Sequence, residues 1–207
     1  MSASIISMRI SPPEPADRAD RDQVVVLHDV SWAQFEAFLR ARGERPRPRF
    51  AYLDGELELM TTSARHELIK KMLARLLEAY CEERFVSANG YGETTWKRRK
   101  DSAGLEPDEC YFIGTIKRFP DLAIEVVQTS GGIDKLEIYR RLHVREVWFW
   151  IDDRIWIYVL VDGEYQERAR SEVVSGIDLG ELVRIILAMD DARQTETVRA
   201  YRRSLRA

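Results

Sequence analysis

The chemistry open to this chain starts from acids placed where acids are costly. In Pro120-Asp121-Leu122-Ala123-Ile124-Glu125-Val126-Val127 the composition is that of a central strand, apolar on both faces, yet Glu125 stands in its middle. An ionised carboxylate buried there alone costs several kcal/mol, so it needs a metal, a cationic partner or a raised pKa. A second acid has a similar setting, because Pro107-Asp108 opens the preceding strand in GLEPDECYFI. If the two strands are neighbours, Asp108 and Glu125 point to one edge and can share a divalent cation. Oxygen ligands of this kind suit Mg²⁺ or Mn²⁺. Lys135 opens the following helix, with Tyr139 one turn further on the same face. A lysine beside two acids and a metal can hold a scissile phosphate or activate a water, as metal-assisted phosphodiester cleavage requires. The plainer reading of Glu125 is an acid at the open end of a sheet, paired with a lysine or arginine.

Other chemistries find little support. His66-Glu67-Leu68-Ile69-Lys70 begins like a zinc-protease helix, but Lys70 stands where the second histidine is required. With only His28, His66 and His143, a histidine-rich metal site is not expected. There is no GxxxxGK[ST] phosphate loop, no GxGxxG after a strand and no GxSxG elbow. Ser130 beside two glycines reads as a strand-to-helix turn rather than a nucleophile. Asp121 shares a strand face with Glu125, but four residues along a strand is roughly 13 Å, too far for one ion to bridge.

The elements that must position these residues follow from caps, turns and periodicity. Ser31 caps a helix over Trp32–Arg42. In RFAYLDGELELM, Asp54-Gly55 joins two alternating runs as a hairpin with a type I′ turn. Ser63 caps the longest helix, Ala64 to about Arg84, whose apolar face is Leu68, Met72, Leu73, Leu76, Leu77 and Tyr80. Strands are expected at Glu93–Arg98, Asp108–Ile113 and Asp121–Val127, then a helix at about Ile133–Leu142, then strands at Glu146–Ile151, Ile155–Val161 and to Arg168. Helices at Ile177–Met189 and Ala192–Arg206 finish the chain. The pattern is a mixed α/β or α+β domain around one sheet. Residues 1–22, with three prolines and alternating Asp and Arg, read as a flexible N-terminal arm, and 23–207 as a single domain.

Composition bounds the rest. The 207 residues carry 32 Lys+Arg against 35 Asp+Glu, a net charge of −3, so nucleic-acid contact must come from local clusters. Lys97, Arg98, Arg99 and Lys100 beside Trp96 form one such run, and Arg40, Arg42, Arg45, Arg47 and Arg49 another. Trp148, Phe149, Trp150, Trp156 and Tyr158 alternate across two adjacent strands and read as core and a dimer surface. Cys81 and Cys110 read as reduced thiols. The start of the chain lacks the features of a signal peptide, and no apolar run reaches the ~18 residues of a membrane span, so a cytoplasmic location without membrane contact is expected.

The stretch PDLAIEVVQTSGGIDKLEIYRRLHVREVWFWIDDRIWIYVL resembles the Uma-two family of restriction endonuclease-like proteins, a branch of the PD-(D/E)XK nuclease-like superfamily. LDGELELM resembles the family's hairpin, SARHELIKKMLARLLEAY its first core helix and GLEPDECYFI its first acidic strand, so the likeness covers about residues 30–170. It implies a restriction-endonuclease-like core, a mixed central sheet flanked by helices in the order αβββαβ. It also implies DNA as substrate, Mg²⁺ or Mn²⁺ as cofactor, Asp108 and Glu125 as metal-binding acids and Lys135 as catalytic lysine. One departure stands out: the superfamily's basic pattern puts its lysine two residues after the second acid, where this chain has Val127. Lys135, ten residues downstream on a helix, resembles a migrated lysine. Accessory candidates are Glu67 on the long helix, Glu56 after the hairpin turn, Gln128 and Tyr139. The competing readings are a nuclease-fold module that binds nucleic acid or a protein partner without cutting, and a structural homodimer whose Glu125–Lys135 pair only supports the fold.

Overall fold

The computed structural model describes residues 21–128 and 132–206. The expected N-terminal arm falls outside the described residues except for Arg21 and Asp22.

Two sheets form, where the sequence pattern suggested one. The first is antiparallel throughout, with strand order β1-β3-β2-β6-β5: β1 Gln23–Leu27, β2 Arg49–Leu53, β3 Glu56–Thr61, β5 Trp96–Arg98 and β6 Ala103–Leu105. The second has order β11-β10-β9-β8-β7-β4: β4 Ala88–Gly90, β7 Glu109–Ile113, β8 Leu122–Val127, β9 Glu146–Ile151, β10 Arg154–Val161 and β11 Glu164–Arg168. It is mixed, because β8 and β9 run parallel while its other pairs are antiparallel. The helices are α1 Trp32–Arg42, α2 Ala64–Glu83, α3 Lys135–Leu142, α4 Leu179–Ala188 and α5 Gln194–Arg206.

The local signals act as expected. Ser31 and Gln34 close a reciprocal capping box on α1, and Ser63 Oγ accepts the His66 N–H to start α2. Asp54 and Gly55 both take positive φ, 46° and 99°, which is what turns β2 into β3. The second sheet carries the core order αβββαβ as α2, β4, β7, β8, α3, β9. Its first strand is not the expected Glu93–Arg98. Ala88–Gly90 takes that place beside β7, helped by Gly90, where a Cβ would press at 3.0 Å on the Tyr111 ring. Thr94 Oγ1 turns back onto the Tyr91 carbonyl, and only Trp96–Arg98 continues as a strand, in the first sheet.

Strand β8 is buried on both faces. Leu122, Ile124 and Val126 join Trp148 and Trp150 in a core covered by α2, α4 and α5. Ala123 joins Phe149 and Val147 on the opposite face, against Ile138, Tyr139 and Leu142 of α3. The same cluster includes Ala51, Ala103 and Leu105 of the first sheet, so α3 lies between the two sheets. The outer face of the first sheet packs on α1, where Phe35 stacks on Tyr52 at 4.8 Å. Cys81 and Cys110 are free and buried. Among the described residues no helix is long and apolar enough to cross a membrane.

Candidate active site

Register decides where the two acids meet. Strand β7 pairs Glu109 with Ile124, and one step further sets Asp108 opposite Glu125 on one sheet face. Both side chains are fully buried. Lys135, at the start of α3, donates to Glu125 Oε2 at 2.9 Å, and the Tyr139 hydroxyl donates to Glu125 Oε1. The spacing of Lys135 and Tyr139, one helical turn, therefore places both on the two oxygens of one carboxylate.

Asp108 is held differently. Its Oδ1 accepts from Arg49 Nη1 and from His66 Nε2 at 2.7 Å, and its Oδ2 accepts the Val126 N–H at 2.6 Å. Arg49 comes from β2 and His66 from the first turn of α2, so three separate elements converge on this carboxylate. His66 Nδ1 bonds in turn to Asp22 Oδ2 at 2.7 Å, and Asp22 Oδ1 accepts the Ser63 N–H at 2.7 Å. Asp22, the last residue of the expected arm, is thus buried against the start of α2.

Glu58 completes the cluster from β3. Its Oε1 lies 3.6 Å from Lys135 Nζ, and its Oε2 accepts the Ile133 N–H at 3.1 Å. Gly132 makes this possible, since a Cβ there would overlap Glu58 Oε2. Glu58 and Asp22 were not among the sequence-derived candidates, while Arg49 stood only in a basic run and His66 only as half of a zinc motif. Arg49 and Ala51 alternate with Phe50 and Tyr52 on β2, and Glu58 pairs with Ala51, so period-two alternation puts Arg49 and Glu58 on the inner face. That alternation was the available signal.

The electrostatics follow from burial opposed by partners. Burial would raise the Asp108 carboxyl, but Arg49, His66 and Lys135 together hold it well below the usual carboxylate range. Burial raises Glu125, and the charge on Asp108 adds to that; Lys135 and Tyr139 offset it only in part. Burial would lower Lys135, but Glu125, Glu58 and Asp108 keep its ammonium firmly protonated. His66 is pushed up to about 9: burial opposes its charge, and Asp108 and Asp22 outweigh it.

Among the described residues, no three His, Cys, Asp or Glu side chains stand together as a ready metal cage. The donor chemistry nevertheless suits a hard divalent ion. Four carboxylates face three cations in two adjoining networks, Asp22 and Asp108 with His66 and Arg49, and Glu58 and Glu125 with Lys135. Lys135 already places positive charge between Glu125 and Glu58.

The remaining candidates lie apart from this cluster or at its margin. Glu67 binds Arg47, Thr62 and Lys70; burial would raise it, but Lys70, Thr62 and Arg47 hold it near about 2. Glu56 meets His28 at 3.0 Å near the hairpin turn, half exposed. Gln128 lines a cavity that also touches Lys135 and Glu58. In the basic run, Lys97 pairs with Glu36 and Arg98 with Asp101, while Arg99 and Lys100 are exposed. The arginine-rich run is largely engaged: Arg42 binds Glu106 through two 2.5 Å contacts, Arg47 binds Glu67 and Arg49 binds Asp108.

A family model, Uma2, described as "putative restriction endonuclease", matches residues 32–189. A solved structure described as a "putative nuclease belonging to DUF820" from Anabaena variabilis ATCC 29413 aligns with a TM-score of 0.41 and 14% identity. That alignment covers 73% of this chain and 92% of the other. No curated protein matches the chain.

Proposed function

Because the chain belongs to the Uma2 restriction-endonuclease family, we propose that it hydrolyses DNA phosphodiester bonds with a bound Mg²⁺ or Mn²⁺. The observation that carries this reading is the seat of Lys135, 2.9 Å from Glu125, which the strand register sets opposite Asp108. Glu125 and Asp108, with Glu58, would hold the ion, which when bound supplies an activated water and stabilises charge on the phosphate. Lys135 is the group best placed to meet the substrate, because its side chain is 15% exposed and borders the cavity. Its protonated ammonium stabilises negative charge as it develops on the phosphoryl oxygens. Tyr139 fixes the second oxygen of Glu125, so the first stays aimed at Lys135. Arg49 and His66 fix Asp108 from outside the sheet.

The test is cleavage of supercoiled plasmid in Mg²⁺ or Mn²⁺ by the wild-type chain, Glu125→Gln and Lys135→Met. Each substitution lowers the rate by about 10²–10³-fold with an unchanged far-UV spectrum, and EDTA abolishes cleavage. Wild-type rates in either variant, or cleavage in EDTA, would overturn the assignment. One observation favours a module that binds DNA without cutting: Asp108 already carries three donors, two of them charged, and needs no metal for satisfaction. DNA binding without cleavage in either metal would select that reading.

A further inference from the structure

Resting on the nuclease reading above, we propose that the cavity beside Lys135 receives a single unstacked base, so that the substrate is single-stranded or locally unpaired DNA. Asp108 and Glu125 are wholly buried and do not line it, but Lys135, which binds Glu125 and lies 3.6 Å from Glu58, borders with Glu58 a cavity of about 300 Å³. That volume is at the small end of ligand pockets, which run from about 300 to 1,000 Å³. It matches one base with part of its sugar rather than a stacked pair.

The walls select the flat, uncharged part of a nucleotide. Val24 and Met60 close one side, and Phe149, Ile151 and Tyr158 the other. Tyr158 stands edge-to-face on Phe149, with centroids 5.9 Å apart at 79°, and is only half buried, so part of its ring remains open to a stacking partner. The polar rim is mainly acidic, with Asp22, Glu58 and Asp134 around Lys135. Such a rim repels phosphates everywhere except at Lys135, and the side chain of Asp134 at its edge offers an acceptor to the N–H edge of a base. The base therefore enters, and the phosphate it carries stays at the mouth beside the ammonium. A base inside a duplex is paired and stacked, and extruding it is least costly where the strand is already single or mismatched.

The experiment measures binding, independently of cleavage. Fluorescence anisotropy follows a labelled single strand, a duplex with one bulged nucleotide and a blunt duplex, in EDTA and again in Ca²⁺. The wild-type chain binds the first two about tenfold more tightly than the blunt duplex. Tyr158→Ala removes that preference, and Tyr158→Phe, which keeps the ring, retains it. Far-UV spectra of both variants confirm the fold. Equal or stronger binding of the blunt duplex, no binding of any DNA in either buffer, or an unchanged preference in Tyr158→Ala overturns the proposal. Metal-dependent cutting of plasmid with no such preference removes the cavity reading and leaves the nuclease standing. A preference with no metal-dependent cutting of the single strand, the bulged duplex or plasmid supports the cavity and sinks the nuclease.

Discussion

His66 contributes most to the stability of this fold near and below neutral pH and loses that contribution in mild alkali. The imidazole is fully buried between Asp22 and Asp108, which raise its pKa from 6.5 to about 9. At ~1.4 kcal/mol per unit, that rise is worth about 3 kcal/mol of folding free energy, undiminished by solvent because the ring is shielded. Below pH 6.5 the ring is protonated in both the folded and the unfolded chain, and the stabilisation is fully present. Between 6.5 and 9 the unfolded chain gives up its proton first, so stability falls with rising pH and the contribution is gone above about 9. Urea unfolding in metal-free buffer, at about pH 6 and about pH 9.5, measures the loss in the wild-type chain and in His66→Gln. The wild-type chain loses about 3 kcal/mol more than the variant over that interval, while other alkaline titrations cancel in the comparison. Equal losses in both would refute the reasoning, and would mean that His66 is neutral in the native state.

The two acids should respond differently to neutralisation. Asp108→Asn breaks a buried pair and strands Arg49 and His66, a loss of about 3–5 kcal/mol that a thermal melt would register, whereas Glu125→Gln costs less because Lys135 keeps Glu58 as a second carboxylate partner and burial raises the Glu125 pKa. Equal losses would contradict the opposite directions in which their pKa values move. Gly132→Ala displaces Glu58 from the Ile133 N–H and from Lys135, costing roughly 1–3 kcal/mol and slowing cleavage; an unchanged midpoint and rate would show that the Glu58 contact is dispensable.

What could be inferred from the sequence divides by the distance over which each interaction acts. Ser31, Ser63 and Asp54-Gly55 announce helix starts and a turn through neighbours one to four residues away, and these elements form where the spacing puts them. Asp108, Glu125, Lys135 and Tyr139 were legible because an acid inside an apolar strand demands a partner, and a helix opening ten residues later supplies one. The fate of Glu93–Arg98 was not legible, because a strand pattern does not say which sheet will take it. That choice rested on Gly90 fitting against Tyr111 and on the small residues of β6 pairing between β2 and β5. Arg49 and Glu58 reach the site across 59 and 75 residues of chain, a range where periodicity gives the face of a strand but not its partner. His66 stood in view only as half of a zinc motif; its role as a buried cation depends on Asp22, which sequence patterning had assigned to the arm.

The position of Asp22 also bears on where this protein can be trimmed. The inherited segment spans residues 32–189, but the folded body reaches beyond it at both ends. Upstream, β1 pairs with β3 along its length and Asp22 supports His66. Downstream, Val198 and Tyr201 of α5 enter the core against α2. An expression fragment cut to the homologous borders would therefore lose an edge strand, one wall of the cavity and part of the cover over the central sheet. Inactivity of such a fragment would report a damaged scaffold rather than absent chemistry.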